Sequence, residues 1–173
     1  GLGQNFYVYD GKLNVFPHFS NTIFSITPDS TTQRYHFYFG DYHFPDDEIF
    51  QKKEYNSQAI MSEIMNNSYV RLMAPYETDE HLLVKYYVKR QVLLGIYNKK
   101  KHTAINLDPE MVIDSLHLGT FPVPIGFNHN EFIGQLTLDI QQKNRIMIPE
   151  LQKLMADYSE DSNPILIFYS LRS

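Results

Sequence analysis

The feature that most constrains this chain is a repeated alternation of apolar and polar residues in short runs, each ended by a turn signal. Residues 5–16, NFYVYDGKLNVF, read as two such runs around Asp10-Gly11. Asp-Gly between alternating runs is a strong hairpin signal, because glycine adopts positive φ without strain. The pattern therefore predicts consecutive hairpins whose side chains point alternately to the two faces of a sheet.

The same alternation continues along most of the chain. A short strand in residues 21–30 carries Ile23, Phe24 and Ile26 and is closed by Pro28-Asp29-Ser30, and strands at 91–98 and 102–107 are joined by Lys99-Lys100-Lys101-His102. Another hairpin turns at Asn128-His129-Asn130, and residues 163–171, NPILIFYSL, form a last strand. The total is roughly ten to twelve short strands without βαβ alternation, which predicts a mainly β fold.

Two stretches have the helical rather than the strand period. Residues 57–67 place Ile60, Met61, Ile64 and Met65 on one face behind a capping Ser57. Residues 148–159 carry Pro149 at a first turn, where its missing N–H is tolerated, followed by an apolar stripe. We therefore expect two short helices inserted among the strands.

Residues 34–48, RYHFYFGDYHFPDDE, combine aromatics, histidines and acids. Alternation places Tyr35, Phe37 and Phe39 on one strand face, and Gly40 breaks the strand. Arg34, His36 and Tyr38 fall on the other face. The three aromatics on the first face are expected to belong to the core rather than to a recognition surface.

Bulk composition excludes several classes of function. The net charge of −5 opposes generic nucleic-acid binding, so the lysine cluster at 99–102 is interpreted as a solvated hairpin turn. There are no cysteines, which excludes disulfides and thiolate chemistry. No apolar run approaches the roughly 18 residues of a membrane helix, and the N-terminal GLGQNF lacks the features of a signal peptide.

With 173 residues, 43% of them hydrophobic, residues 1–173 are expected to form a single domain.

Few residues are candidates for a chemical site. No phosphate-loop, dinucleotide, zinc-protease, esterase or EF-hand motif is present, so no catalytic residue and no cofactor are predicted. His36 and His43 would need a third ligand to bind a metal. The acids Asp41, Asp46, Asp47 and Glu48 are dense enough to suggest calcium, although their spacing matches no known loop. The alternative for these acids is a solvated loop.

Three segments together resemble a known family. Residues 21–47, NTIFSITPDSTTQRYHFYFGDYHFPDD, residues 81–107, HLLVKYYVKRQVLLGIYNKKKHTAINL, and residues 160–173, EDSNPILIFYSLRS, are similar to stretches of the six-bladed β-propeller proteins of gut Bacteroidetes. The resemblance spans about residues 5–173, and it implies four-stranded antiparallel blades.

One blade takes about 40 to 50 residues, so the chain is long enough for about three blades. They would cover 5–40, 68–108, and 110–140 completed by 164–171, so the chain resembles the C-terminal half of such a propeller. Half a ring leaves exposed edges. Three solutions remain open: a fragment of a longer protein, a homodimer that completes the ring, or a sheet sandwich capped by the two helices.

The resemblance also implies a cellular setting. Family members are typically exported proteins or lipoproteins without an agreed activity, which implies the periplasm or the outer-membrane surface. The first functional hypothesis is a non-enzymatic binding module of the cell envelope that takes a protein or a glycan. The alternatives are a calcium-dependent hydrolase or lyase of the six-bladed type, and a structural fragment of a longer propeller.

Overall fold

A computed structural model describes residues 5–17, 20–45, 58–59, 62, 66–89, 91–108, 121–136, 149, 153, 156 and 163–171. Within this part of the chain there are eleven β-strands and a 3-10 turn at Gly40–Tyr42. The strands are β1 (Phe6–Tyr9), β2 (Lys12–Val15), β3 (Thr22–Ile26), β4 (Thr31–His36), β5 (Arg71–Glu77), β6 (His81–Val88), β7 (Gln91–Asn98), β8 (Thr103–Leu107), β9 (Pro124–Phe127), β10 (Phe132–Leu136) and β11 (Ile165–Tyr169). The predicted mainly β class is confirmed.

The strands form three antiparallel sheets. The first sheet has the order β1-β2-β3-β4, the second β5-β6-β7-β8, and the third β11-β10-β9. This grouping agrees with the predicted division into 5–40, 68–108, and a third set completed by the last strand. A propeller arrangement of the sheets is not confirmed.

The turns between strands are held by the residues that the sequence marked. Asp10 and Gly11 have φ values of 50° and 67°, as a two-residue hairpin with matched twist requires. In the turn between β9 and β10, the Asn128 side-chain oxygen accepts from the backbone N–H groups of Asn130 (2.9 Å) and Glu131 (2.8 Å). Such local side-chain bonds satisfy the backbone groups of a reversal.

The chain divides into two compact units. One comprises Gly1–Pro75 and Val84–Gly95, and the other comprises Tyr76–Leu83 and Ile96–Ser173. The largest fully buried apolar side chains of the first unit are Phe44, Ile23 and Leu94. Those of the second unit are Phe132, Leu82 and Leu83.

The structure corrects the prediction for residues 34–48. Strand β4 ends at His36, and Tyr35, Phe37 and Phe39 are half-buried rather than core residues. The buried aromatic of this region is Phe44, after the 3-10 turn. Gly40, with φ of 58°, reverses the chain so that the alternation does not continue beyond it.

The two predicted helices are not confirmed. Most of 57–67 and 148–159 lies outside the described residues, and so does the predicted turn or helix start at Pro45-Asp46-Asp47 apart from Pro45. Gln58, Ala59, Ser62, Asn66, Pro149, Lys153 and Ala156 have helical backbone.

Gly134 in the centre of the third sheet should not tolerate a side chain. A Cβ there would lie 3.0 Å from Pro122 Cβ and 3.2 Å from Pro122 O, and Tyr169 bonds the same Pro122 oxygen at 2.6 Å. We expect Gly134→Ala to lower the unfolding free energy by about 1–3 kcal/mol, measured by urea denaturation. Gly126→Ala is the matched control, since its Cβ would meet only ordinary contacts at 3.7–3.8 Å. Equal stability of the two variants would contradict this account.

Candidate functional site

A cavity of about 340 Å³ lies against the hairpin of β7 and β8 and is called the β7–β8 cavity below. Its apolar lining consists of Ile96, Ile105, Leu107, Phe121 and Leu171. Its polar lining consists of His81, Asn98, Lys101 and Thr103.

Strand alternation explains most of this lining. Ile96 and Asn98 lie two apart on β7, and Thr103, Ile105 and Leu107 lie two apart on β8, so each set shares one face of its strand. Between the strands, the turn 99–102 is mostly solvated as predicted. The exception is Lys99, whose side chain is largely buried.

Asn98 ties the polar lining to the lysine turn. Its side-chain oxygen accepts from the backbone N–H groups of Lys100 (3.0 Å) and Lys101 (2.9 Å), which sets the orientation of the amide. Its Nδ2 therefore donates to His81 Nε2 at 3.1 Å. His81 must accept through Nε2 and carries its proton on Nδ1. Burial lowers the pKa of His81, and Lys100 and Lys99 lower it further, while Glu80 opposes the shift.

A buried carboxylate lies near this turn. Glu77 is fully buried, and Lys99 Nζ contacts its Oε1 at 2.7 Å while also donating to Thr78 O at 2.6 Å. The neighbouring Lys100 instead pairs with Glu80 at the surface. Lys99 and Lys100 are thus engaged with carboxylates, and Lys101 is the lysine of this turn that lines the cavity.

The structure places the predicted metal candidates as follows. His36 and His43 are brought together, with ring centroids 5.6 Å apart. Among the described residues, no third histidine or carboxylate joins them to make a metal-binding group. Of the calcium candidates, Asp41 lies exposed in the 3-10 turn, and Asp46, Asp47 and Glu48 lie outside the described residues.

The surroundings of His43 leave one polar atom without a partner. Asn21 donates through Nδ2 to Phe44 O (2.8 Å) and to His43 Nε2 (3.2 Å), so His43 carries its proton on Nδ1. That Nδ1 is buried without a hydrogen-bond partner. His36 is held through Nδ1 by the Thr22 hydroxyl at 2.9 Å. The two histidines are therefore positioned by Thr22 of β3 and by Asn21, which precedes it.

Sequence reasoning missed the cavity. The shared faces of β7 and β8 could have been read from alternation, because Ile96, Asn98, Thr103, Ile105 and Leu107 are evenly spaced. No local pattern connects Phe121 or Leu171 with these strands. Among the described residues, no helix is long and apolar enough to cross a bilayer.

Comparison with known proteins identifies the family. The profile of the domain of unknown function DUF4934 matches residues 2–170. The chain belongs to the DUF4934 family. This membership does not specify a six-bladed propeller. No curated protein sequence matches this member of the family.

A solved structure has a similar fold. It is the crystal structure of a protein from Bacteroides fragilis that is proposed to be exported, with a TM-score of 0.77 and 18% sequence identity. The match covers 98% of this DUF4934 chain and 50% of the other chain. The DUF4934 chain therefore spans about half the length of the protein it resembles.

Removing the cation beside Glu77 should be costly. We expect Lys99→Met to lower the unfolding free energy by about 3–5 kcal/mol, because a buried carboxylate loses its neutralising charge. Lys100→Met is the matched control and should cost about 0–1 kcal/mol, as for exposed pairs. The measurement is urea denaturation at pH 7. The double variant Lys99→Met/Glu77→Gln should recover part of the loss, and no recovery would contradict the assignment.

His81 should make stability depend on pH. Because its folded pKa lies below the ordinary value of about 6.5, the unfolded chain takes up the proton first as pH falls. The stabilisation is complete above about pH 6.5 and is lost as pH falls from that value through the lower pKa of the folded state, with a slope of at most about 1.4 kcal/mol per pH unit. Urea denaturation between pH 7 and 5.5 should show a shallower slope for His81→Gln than for the wild type. Parallel curves would disprove the contribution.

Proposed function

We propose that the chain is a non-enzymatic binding module of the bacterial cell envelope, and that the β7–β8 cavity is its ligand site. The observation that carries the proposal is the composition of the cavity, whose apolar lining is accompanied by oriented polar groups. Ligand pockets in proteins combine apolar walls with a small number of positioned polar groups.

The size and lining of the cavity favour a particular ligand chemistry. A volume of about 340 Å³ accommodates a group as large as a leucine or phenylalanine side chain. Four of the five apolar lining residues are aliphatic, which suits an apolar side chain better than the hydroxyl-rich surface of a sugar. The Lys101 ammonium favours a carboxylate. The preferred ligand is therefore a protein segment with an apolar side chain beside a carboxylate, rather than a glycan.

The proposed location is outside the cytoplasm, in the periplasm or at the outer-membrane surface. Its support is the fold shared with the Bacteroides fragilis protein, which is itself proposed to be exported. A lipid-anchored or exported form is also what the family resemblance implies.

The finer fold assignment is part of the same proposal. Each of the three sheets would be one blade, and together they would form half of a six-bladed propeller. The support is the formation of the first two sheets from consecutive strands, with the last strand of the chain completing the third. The calcium-dependent hydrolase or lyase stays a prediction, because Asp46, Asp47 and Glu48 of its calcium candidates lie outside the described residues.

The proposed site predicts binding of N-acetyl-L-leucine, a small apolar carboxylate. Its dozen heavy atoms should give a dissociation constant of about 1–5 mM, measured by ¹H–¹⁵N NMR titration, with shifts at Asn98, Thr103 and Ile105. Lys101→Ala should weaken binding about threefold to fivefold, as for an exposed ion pair. Lys100→Ala, on the same turn but outside the lining, is the matched control and should leave binding unchanged.

Two further probes separate the alternatives. N-acetyl-L-leucine amide lacks the carboxylate, so Lys101→Ala should not change its affinity. Chemical-shift changes at the cavity with maltose, and none with the leucine derivatives, would indicate that the ligand is a glycan and not a protein segment. If none of the three probes changes the chemical shifts, the binding-module proposal is wrong and the structural-fragment hypothesis is favoured.

A further inference from the structure

The first sheet presents an apolar face to solvent. Register pairs Phe6 with Val15 and Val8 with Leu13, and it continues these rows to Phe24 and Ile26 of β3. Directly opposed residues share a face, so these six side chains lie together. Val8 is 62% exposed and Phe6 50% exposed, and Leu13 is exposed as well.

The opposite face of the same sheet is buried although it is more polar. Tyr7, Asn14 and Ser25 are paired along one row and all three are buried. Asn14 is satisfied there by accepting from the Ser25 hydroxyl at 2.6 Å. An antiparallel sheet with one face in water ordinarily keeps polar residues on that face. The first sheet has the reverse arrangement.

The third sheet also presents an apolar face. Phe168 of β11 pairs with Ile133 of β10, and Leu166 lies on the same face of β11. Phe168 is 55% exposed, and Leu166 is similarly exposed. By contrast, strand β6 of the second sheet is buried along most of both faces. Among the described residues, exposed apolar side chains thus lie together on the first and third sheets, whereas the second sheet exposes Ile105 on its edge strand β8.

We propose that the 173-residue chain forms a closed homodimer in which the apolar face of the first sheet packs on the apolar face of the third sheet of a second copy. The contact is made twice, because the first sheet of each copy packs on the third sheet of the other. Both apolar faces of both copies are thereby covered. Sheets pack face to face through interdigitated side chains, and the removal of this apolar surface from water drives the association. The inference does not depend on the β7–β8 cavity.

The solved relative indicates why the occupant is a second copy and why assembly stops at two. That protein has the fold of this chain over half of its length and is about twice as long. Two copies supply the same length of chain, which fits a closed pair better than an open polymer. A contact between two different surfaces closes only when its rotation returns to the start, and the proposal requires this return after two copies.

The mass in solution tests the proposal. Light scattering coupled to size exclusion at 5–100 µM, a range of about twentyfold chosen to span ordinary dimer affinities, should give twice the 20.3 kDa of one chain. A mass of 20.3 kDa throughout this range would overturn the dimer. Growth beyond two copies with concentration would overturn closure.

Charged variants identify the two surfaces. Val8→Asp on the first sheet and Phe168→Lys on the third sheet should each raise the dissociation constant at least about a hundredfold, because each places a charge in an apolar contact. An equimolar mixture of the two variants should regain a dimer, since one of its two contacts then pairs Asp with Lys and the other is unchanged. If only one variant dissociates the dimer, like faces meet and the proposed pairing is wrong.

Ile105→Asp is the matched control. Ile105 is 56% exposed on β8 of the second sheet, outside both proposed faces, so this variant should retain the dimeric mass. Circular dichroism and thermal melting of all three variants show whether each monomer is folded. A Val8→Asp chain that is folded and still dimeric would also disprove the pairing.

Discussion

The fold depends on reversals that are held by their own side chains. Asn98 and Asn128 each use a side-chain oxygen to accept two backbone N–H groups of the following turn. Thr78 closes the turn between β5 and β6 in a related way, by accepting from His81 N at 3.1 Å. Each turn fixes the register of the strands that it joins, and a slip of one residue would exchange the two faces of the sheet. The faces that the molecule buries or exposes are therefore decided locally.

That local control explains an unusual distribution of polarity. In the first sheet, the register of the strands places Asn14 and Ser25 on the buried face and leaves the row of Val8 and Leu13 exposed to solvent. The buried polar pair is stable because its members satisfy each other. In the part of the chain that the structure describes, Val8 and Leu13 of the apolar row stay exposed. This exposed row is the surface on which the proposed dimer depends.

Much of the architecture could be predicted from the sequence because it is local. Asp10-Gly11 and Asn128-His129-Asn130 marked their turns correctly, and alternation predicted the strands, whereas their division into three sets came from the family resemblance. The extent of β4 was predicted wrongly, since the strand ends at His36 rather than continuing to Gly40, and the aromatic that reaches the core is Phe44, after the 3-10 turn. The cavity could not be predicted, because Phe121 and Leu171 reach it from segments distant in sequence. The meeting of His36 with His43 depends likewise on Asn21, more than twenty residues from His43 along the chain.

Part of the polar lining of the cavity is held by hydrogen bonds. Asn98 connects His81 to the backbone of Lys101, and in the adjoining turn Lys99 N donates to Glu80 O at 2.8 Å. A ligand that meets groups already oriented in this way loses less entropy on binding. Buried charges such as Glu77 with Lys99 add little to stability compared with apolar packing, so their value here lies in holding the turn in place. Orientation of a ligand would then come from the turn, and most of its binding energy from the aliphatic side chains of β7 and β8.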